Sequence, residues 1–234
     1  MKNLLMIPAM GCDKRLYSEV SQGLSSVITT TVEMVAKDKL DDCIAHVIAQ
    51  APEKFIVLGT SFGGRLALEI AISHPARVEG LVVIGAGAGL AADPSLGFRR
   101  AARLRDGEFE NVVTEMADMV SHMAGPKGPA ARQLFVDMAQ KNGGEFMALQ
   151  SEALAKRLDL EPRLHEILCP ALMLWGREDK FSSASDGLKM STGLTNGRYA
   201  EISKCGHFPS LEAPEETLEI LLHWLQDSKL ISNR

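Results

Sequence analysis

Short apolar runs alternate with helical repeats along most of this chain. Residues 4–7, 32–35, 55–58, 81–84, 171–175 and 198–202 are short and apolar enough to form buried strands. Most lack a polar face, as strands covered on both sides do. Helical repeats lie between them, at residues 17–24, 40–51, 62–73 and 214–226. This alternation predicts an α/β fold: a mostly parallel sheet flanked by helices, with right-handed crossovers. Reactive groups in such a sheet gather at the carboxyl ends of the strands. The segments to search are therefore residues 8–11, 59–63, 85–89, 176–179 and 203–207.

The alternation stops between about residues 93 and 165. Helical repeats continue there, at 110–123, 129–141 and 145–158. Gly125-Pro126-Lys127-Gly128-Pro129 and Asn142-Gly143-Gly144 break them. A helical insertion between the fourth and fifth strands would lie over the carboxyl edge as a lid. Val112, Met116, Met119 and Met123 recur at helical spacing. They are expected to pack as the apolar face of a helix, and as adaptable thioethers they could also form a ceiling over a substrate. Arg99, Arg100, Arg103 and Arg105 form a basic cluster. A solvated face is its ordinary reading, and contact with an acidic substrate group is the other.

Composition narrows the class. With 234 residues, 46% of them hydrophobic, the chain can bury a large core. A net charge of -5 argues against a nucleic-acid partner, which requires a basic stripe. Cys12, Cys43, Cys169 and Cys205 are scattered and form no C-x-x-C pair, so neither a metal site nor a disulfide scaffold is expected. Reduced thiols suit a cytoplasmic protein. The apolar start is too short for a signal peptide and is broken by Pro8. No stretch reaches the roughly 20 apolar residues needed to span a bilayer.

Against that background, Gly59-Thr60-Ser61-Phe62-Gly63 stands out. It joins an apolar strand to a helical run. A serine between two glycines at such a turn has the pattern of a nucleophile elbow. Only small neighbours fit the tight turn, and the Phe62 amide is left unpaired at a helix N-terminus, where a carbonyl oxygen would become negative. A serine hydroxyl needs a base, and the base needs an acid to orient it. Of the six histidines, His46 and His223 lie within amphipathic helices, and His74 stands at a helix end. His122 and His165 fall in or beside the insertion. His207 alone lies in a loop directly after a strand, Cys205-Gly206-His207-Phe208-Pro209, at the edge that Ser61 occupies. The acid would come from Trp175-Gly176-Arg177-Glu178-Asp179, where spacing leaves Glu178 and Asp179 equal.

These motifs resemble those of the α/β-hydrolases, specifically the esterase, lactonase and C–C-hydrolase superfamily, over nearly the whole chain. Leu58-Gly59-Thr60-Ser61-Phe62-Gly63-Gly64 resembles the elbow of that family. Leu174-Trp175-Gly176-Arg177-Glu178-Asp179 resembles its G-x-x-D turn, which selects Asp179. Gly206-His207-Phe208-Pro209-Ser210-Leu211-Glu212-Ala213-Pro214-Glu215 resembles its histidine loop. The order Ser61, Asp179, His207 is also that of the family. The resemblance implies a core of residues 1–92 and 166–234, with residues 93–165 as the cap. One departure concerns the loop after the first strand. Pro8-Ala9 replaces the usual His-Gly, followed by Met10. A backbone donor tolerates that change, so the oxyanion hole is expected from the amides of Met10 and Phe62. Ser61 argues against dehalogenases and epoxide hydrolases, which carry aspartate there. The elbow also differs from the Gly-Gly-Ser-Trp-Gly of proline iminopeptidases.

The expected activity is hydrolysis of a small carboxylic ester, thioester or lactone, without metal or organic cofactor. Met116, Met119 and Met123 are the candidate substrate contacts. The alternatives are C–C cleavage or perhydrolysis at the same site, or a non-catalytic ligand-binding role.

Overall fold

The computed structural model describes residues 1–232. Six strands form one sheet: β1 (Asn3–Ile7), β2 (Thr29–Val32), β3 (Phe55–Thr60), β4 (Val78–Ile84), β5 (Ala171–Gly176) and β6 (Gly197–Ile202). Their spatial order is β2-β1-β3-β4-β5-β6, and every pairing among the described residues is parallel. Register runs straight across the centre, with Met6 beside Leu58, Leu58 beside Val82, and Val82 beside Leu172. β3 and β5 are buried at every residue, which is why they read as unbroken apolar runs.

Strand order reverses between β1 and β3. That is the switch point of an open α/β sheet, where a crevice opens outside the carboxyl ends. The chain after β3 is the Ser61 turn. The helices are α1 (Ser18–Leu24), α2 (Leu40–Gln50), α3 (Phe62–Ser73), α4 (Pro94–Arg105), α5 (Phe109–Val120), α6 (Gly128–Asn142), α7 (Gly144–Ala155), α8 (Ala184–Gly193), α9 (Pro209–Glu212) and α10 (Pro214–Asp227). α4 to α7 lie in sequence between β4 and β5. α4 and α7 approach closely because Gly97 bears no side chain: a Cβ there would meet Ala155 Cβ at 2.8 Å and the Ser151 carbonyl at 2.9 Å.

Several boundaries differ from the sequence reading. β2 lies three residues earlier than the Val32–Val35 run suggests. It is an edge strand of alternately exposed threonines, held by pairing with β1, so no apolar run marks it. α4 is too polar to show an apolar repeat, and it is started instead by Asp93, whose side chain accepts from the Ser95 amide, and by Pro94. α8 likewise has no marked apolar repeat in the sequence. It packs on Trp175 through Gly187, where a Cβ would lie 2.4 Å from the indole ring. No helix among the described residues is long and apolar enough to cross a membrane.

Candidate active site

Ser61 joins β3 to α3 with φ 54° and ψ -112°, a conformation rare for a residue with a side chain. Holding it costs about 1–3 kcal/mol. The surroundings impose it. The Ser61 amide donates to the Ile84 carbonyl at 2.8 Å, and the Arg65 amide donates to the Ser61 carbonyl at 2.9 Å. Thr60 Oγ1 is hydrogen-bonded to the Tyr17 hydroxyl at 2.8 Å, which also donates to the Ile7 carbonyl at 2.8 Å. A Cβ on Gly59 would fall 2.0 Å from the Gly63 carbonyl oxygen, and one on Gly63 1.9 Å from the Ile7 oxygen. Both glycines are thus required by close backbone approach.

His207 follows β6. Its Nδ1 lies 2.7 Å from Asp179 Oδ2, and both side chains are about 1% exposed. The carboxylate can only accept, so Nδ1 carries a proton, and in the neutral ring Nε2 is left with the lone pair. Nε2 is buried and has no hydrogen-bond partner among the described residues, the Ser61 hydroxyl included. Yet Ser61, His207, Ala9 and Met10 line one cavity, with Met116, Val120, Phe135, Leu154, Phe181 and Phe208 completing its wall. Its volume is about 10 Å³, room for about one water. In unliganded enzymes the nucleophile–base contact is often long and tightens only with substrate. Ser61 also borders a larger cavity of about 420 Å³, walled by residues 85–89, Arg65, Arg157, Phe181 and Ser182 among others.

Geometry separates the two adjacent acids. Asp179 Oδ1 accepts from the amides of Phe181 and Ser182, and Oδ2 accepts from Ser182 Oγ at 2.8 Å as well as facing His207. Burial pulls its carboxyl upward, but attraction to His207, that hydrogen bond and those from Ser182 outweigh burial and leave the pKa below the ordinary value. Trp175 Nε1 donates to Ser182 Oγ at 3.0 Å and so braces that partner. Glu178 points elsewhere and accepts from the Cys205 amide at 2.9 Å.

The Met10 and Phe62 amides donate to no other group among the described residues. Phe62 is the first residue of α3, and Met10 lies in the loop after β1. That loop is tied down by side chains of α6 and α7: Gln150 accepts from the Gly11 amide at 3.0 Å, and Asn142 donates to the Gly11 carbonyl at 3.0 Å.

Met116 is buried and reaches the cavity wall. Met119 and Met123 do not; they are 45% and 49% exposed. The spacing misled because the buried face of α5 is Val112, Val113, Met116, Ala117 and Val120, which puts Met119 at its edge. Met123 lies past the end of the helix at Val120.

Three positions emerge that motif spacing did not single out. Gly85 has φ 60°, and a Cβ there would sit 2.9 Å from His207 Nδ1 and 3.4 Å from Asp179 Oδ2, so its bareness makes room for the pair. Phe181 packs against the imidazole in a tilted arrangement, with ring centroids 5.0 Å apart and planes at 44°. Glu212 is 4% exposed, and its carboxylate accepts from the amides of Gly206, Phe208 and His122 at 3.0, 3.1 and 2.8 Å. Two of these flank His207. Glu212→Ala would strip the acceptor from all three at once. The expected loss is about 3 kcal/mol at about 1 kcal/mol per unpaired donor, or roughly 6–12 °C in Tm for a chain of this size. A thermal melt identical to wild type would show that the amides do not depend on Glu212. Among the described residues, no group of three or more histidines, cysteines, aspartates or glutamates could hold a metal ion.

Residues 22–220 match the profile of the Alpha/beta hydrolase family. The chain is 32% identical to a 2-hydroxy-6-oxononadienedioate/2-hydroxy-6-oxononatrienedioate hydrolase of Paraburkholderia phymatum over 181 residues, 74% of this chain and 62% of that protein. It is 29% identical to a Pseudomonas putida enzyme of the same description, over 89% of this chain and 72% of the relative. Among solved structures, a thermophilic esterase from Thermogutta terrifontis superposes with TM-score 0.87 at 19% identity, covering 97% of this chain and 90% of the esterase. The enol-lactonase from Burkholderia xenovorans LB400 superposes with TM-score 0.85 at 17% identity, covering 96% of this chain and 91% of the lactonase. At those identities the structural likeness concerns the fold.

Proposed function

Because the chain belongs to the alpha/beta hydrolase family, we propose that it hydrolyses a small carboxylic ester, thioester or lactone through an acyl-enzyme on Ser61. His207 Nε2 takes the Ser61 proton as the hydroxyl attacks the carbonyl carbon. The amides of Met10 and Phe62 stabilise the oxyanion. His207 then protonates the departing oxygen or sulfur. In the second half, His207 activates water, which releases the acid and restores Ser61. Asp179, kept ionised, holds the imidazole in the tautomer that bares Nε2 and stabilises the imidazolium. The observation that supports this reading is the buried His207–Asp179 pair, whose imidazole lines the same cavity as Ser61.

On this reading α4 to α7 form a cap. Met116, Val120, Phe135 and Leu154 come from that segment to the cavity. Four unpaired cysteines, three of them buried, suit a reducing compartment such as the cytoplasm.

A second reading is C–C bond hydrolysis. It is favoured by the activity for which those relatives are named, since they share the greater sequence identity. The nucleophile, base and oxyanion donors would serve either bond, so products must separate the two. Purified protein would be incubated with esters of graded acyl length, with lactones, and with a 2-hydroxy-6-oxodienedioate. Turnover of esters or lactones alone supports the first reading. Cleavage of the dienedioate alone supports the second, and no turnover of any of them overturns both.

A further inference from the structure

The arginines around the site are not equivalent. Arg99 pairs with Asp93, Arg103 with Glu108 and Glu115, and Arg105 with Glu145 and Glu152. Arg65 pairs with Glu69 and also donates to the carbonyls of Ala88, Gly89 and Leu158. Arg157 donates to those of Leu154, Gly89 and Leu90. Those two guanidiniums staple the loop after β4. Arg100 does neither. It is half-buried, and its one hydrogen bond among the described residues runs from Nη1 to Ser151 Oγ at 3.5 Å. That hydroxyl already donates to the Gly97 carbonyl at 2.9 Å.

Arg100 also sits against a ring of the candidate site, although it lines neither cavity that Ser61 borders. Its guanidinium carbon lies 6.0 Å from the centroid of the Phe181 ring. The same ring packs, tilted, against His207 and walls both cavities that Ser61 enters. An arginine presents five N–H donors in a planar fork that matches a carboxylate. A half-buried fork with most donors unused, one aromatic ring from the base, is arranged for an incoming anion rather than for a partner within the fold. Burial weakens its hold on its own charge, and only Glu115, already engaged by Arg103, offsets this.

We propose that Arg100 anchors a carboxylate carried by the substrate, several bonds from the carbonyl that Ser61 attacks. This makes the substrate an acidic ester or lactone, such as a dicarboxylic acid monoester. The inference rests on the hydrolase reading above, and its experiment separates the two. Wild type, Arg100→Gln and Arg100→Lys would be assayed on three esters. These are neutral p-nitrophenyl butyrate, mono-p-nitrophenyl glutarate (carboxylate on the acyl side) and 4-acetoxybenzoate (carboxylate on the leaving side). Binding of glutarate would be measured in parallel by calorimetry.

In Arg100→Gln, kcat/KM for one acidic ester is expected to fall at least tenfold further than for p-nitrophenyl butyrate, chiefly through KM. Glutarate affinity should fall by a similar factor, and Arg100→Lys should recover part of both. Which acidic ester responds tells which side carries the carboxylate. Equal losses on all three esters overturn the proposal, as does glutarate binding that is the same in wild type and Arg100→Gln, or absent from both. Should wild type hydrolyse none of the three esters, the ester reading fails while calorimetry still decides the role of Arg100.

Discussion

Ser61→Ala is expected to lower kcat by about a million-fold, the cost seen when a triad nucleophile is lost, with little change in folding. The substitution removes one oxygen from a half-buried position. The backbone strain at φ 54° stays, because alanine has the same Cβ. The bonds that hold the turn come from backbone groups and from Thr60 and Tyr17, so they survive. A fluorophosphonate probe offers a second readout. Ser61 Oγ attacks phosphorus, fluoride leaves, and the protein gains the phosphonyl mass on that residue. Wild type should label and Ser61→Ala should not. Equal ester hydrolysis by both proteins, or labelling at another residue, would remove Ser61 from the mechanism.

The second large effect concerns folding. Gly63→Ala would place a methyl group 1.9 Å from the Ile7 carbonyl oxygen and 2.8 Å from that of Pro8. Both are backbone atoms, and Ile7 sits in β1 between β2 and β3, so neither can swing aside. Relief would require α3 to move away from the sheet, opening the fully buried interface around Phe62 and Leu66. We expect a loss of about 4 kcal/mol or more, at the severe end for a single substitution. Denaturant melts would show a sharply lower midpoint, or the protein would fail to accumulate. A melt within about 1 kcal/mol of wild type, a typical single-substitution effect, would mean that this contact is looser than described. Gly64→Ala is a useful control. Its nearest neighbour is a side-chain methyl, Ala86 Cβ at 2.8 Å, so a smaller loss is expected.

Sequence conveyed the layered fold because β1, β3, β4 and β5 are covered on both faces, which forces unbroken apolar runs. It conveyed the elbow because backbone contact there tolerates nothing larger than glycine. It also pointed to the edge where Ser61, Asp179 and His207 lie, since strand ends can be read from strand positions alone. Other features left no local signal. β2 is defined by pairing across the sheet, and α8 by one ring against one glycine. Glu212 stands in the histidine loop in plain view, but its role depends on an amide 90 residues away, at His122. Met119 and Met123 share the periodicity of Met116, and only the position and end of the helix distinguish the residue that reaches the cavity. The exceptional state of Arg100 is a matter of which neighbouring arginines found carboxylates, and that is settled by tertiary packing.

The Glu212 clasp has one further consequence. It gathers amides from both sides of His207 and from the chain just after α5, and the His207 amide itself donates to the Val120 carbonyl at 2.9 Å. Hydrogen bonds therefore couple the position of His207 to the end of α5. On the proposed mechanism, a guest that displaces α5 would also shift the imidazole, so guest bulk would govern proton-transfer alignment as well as entry. Turnover should then decline with guest size more steeply than affinity does.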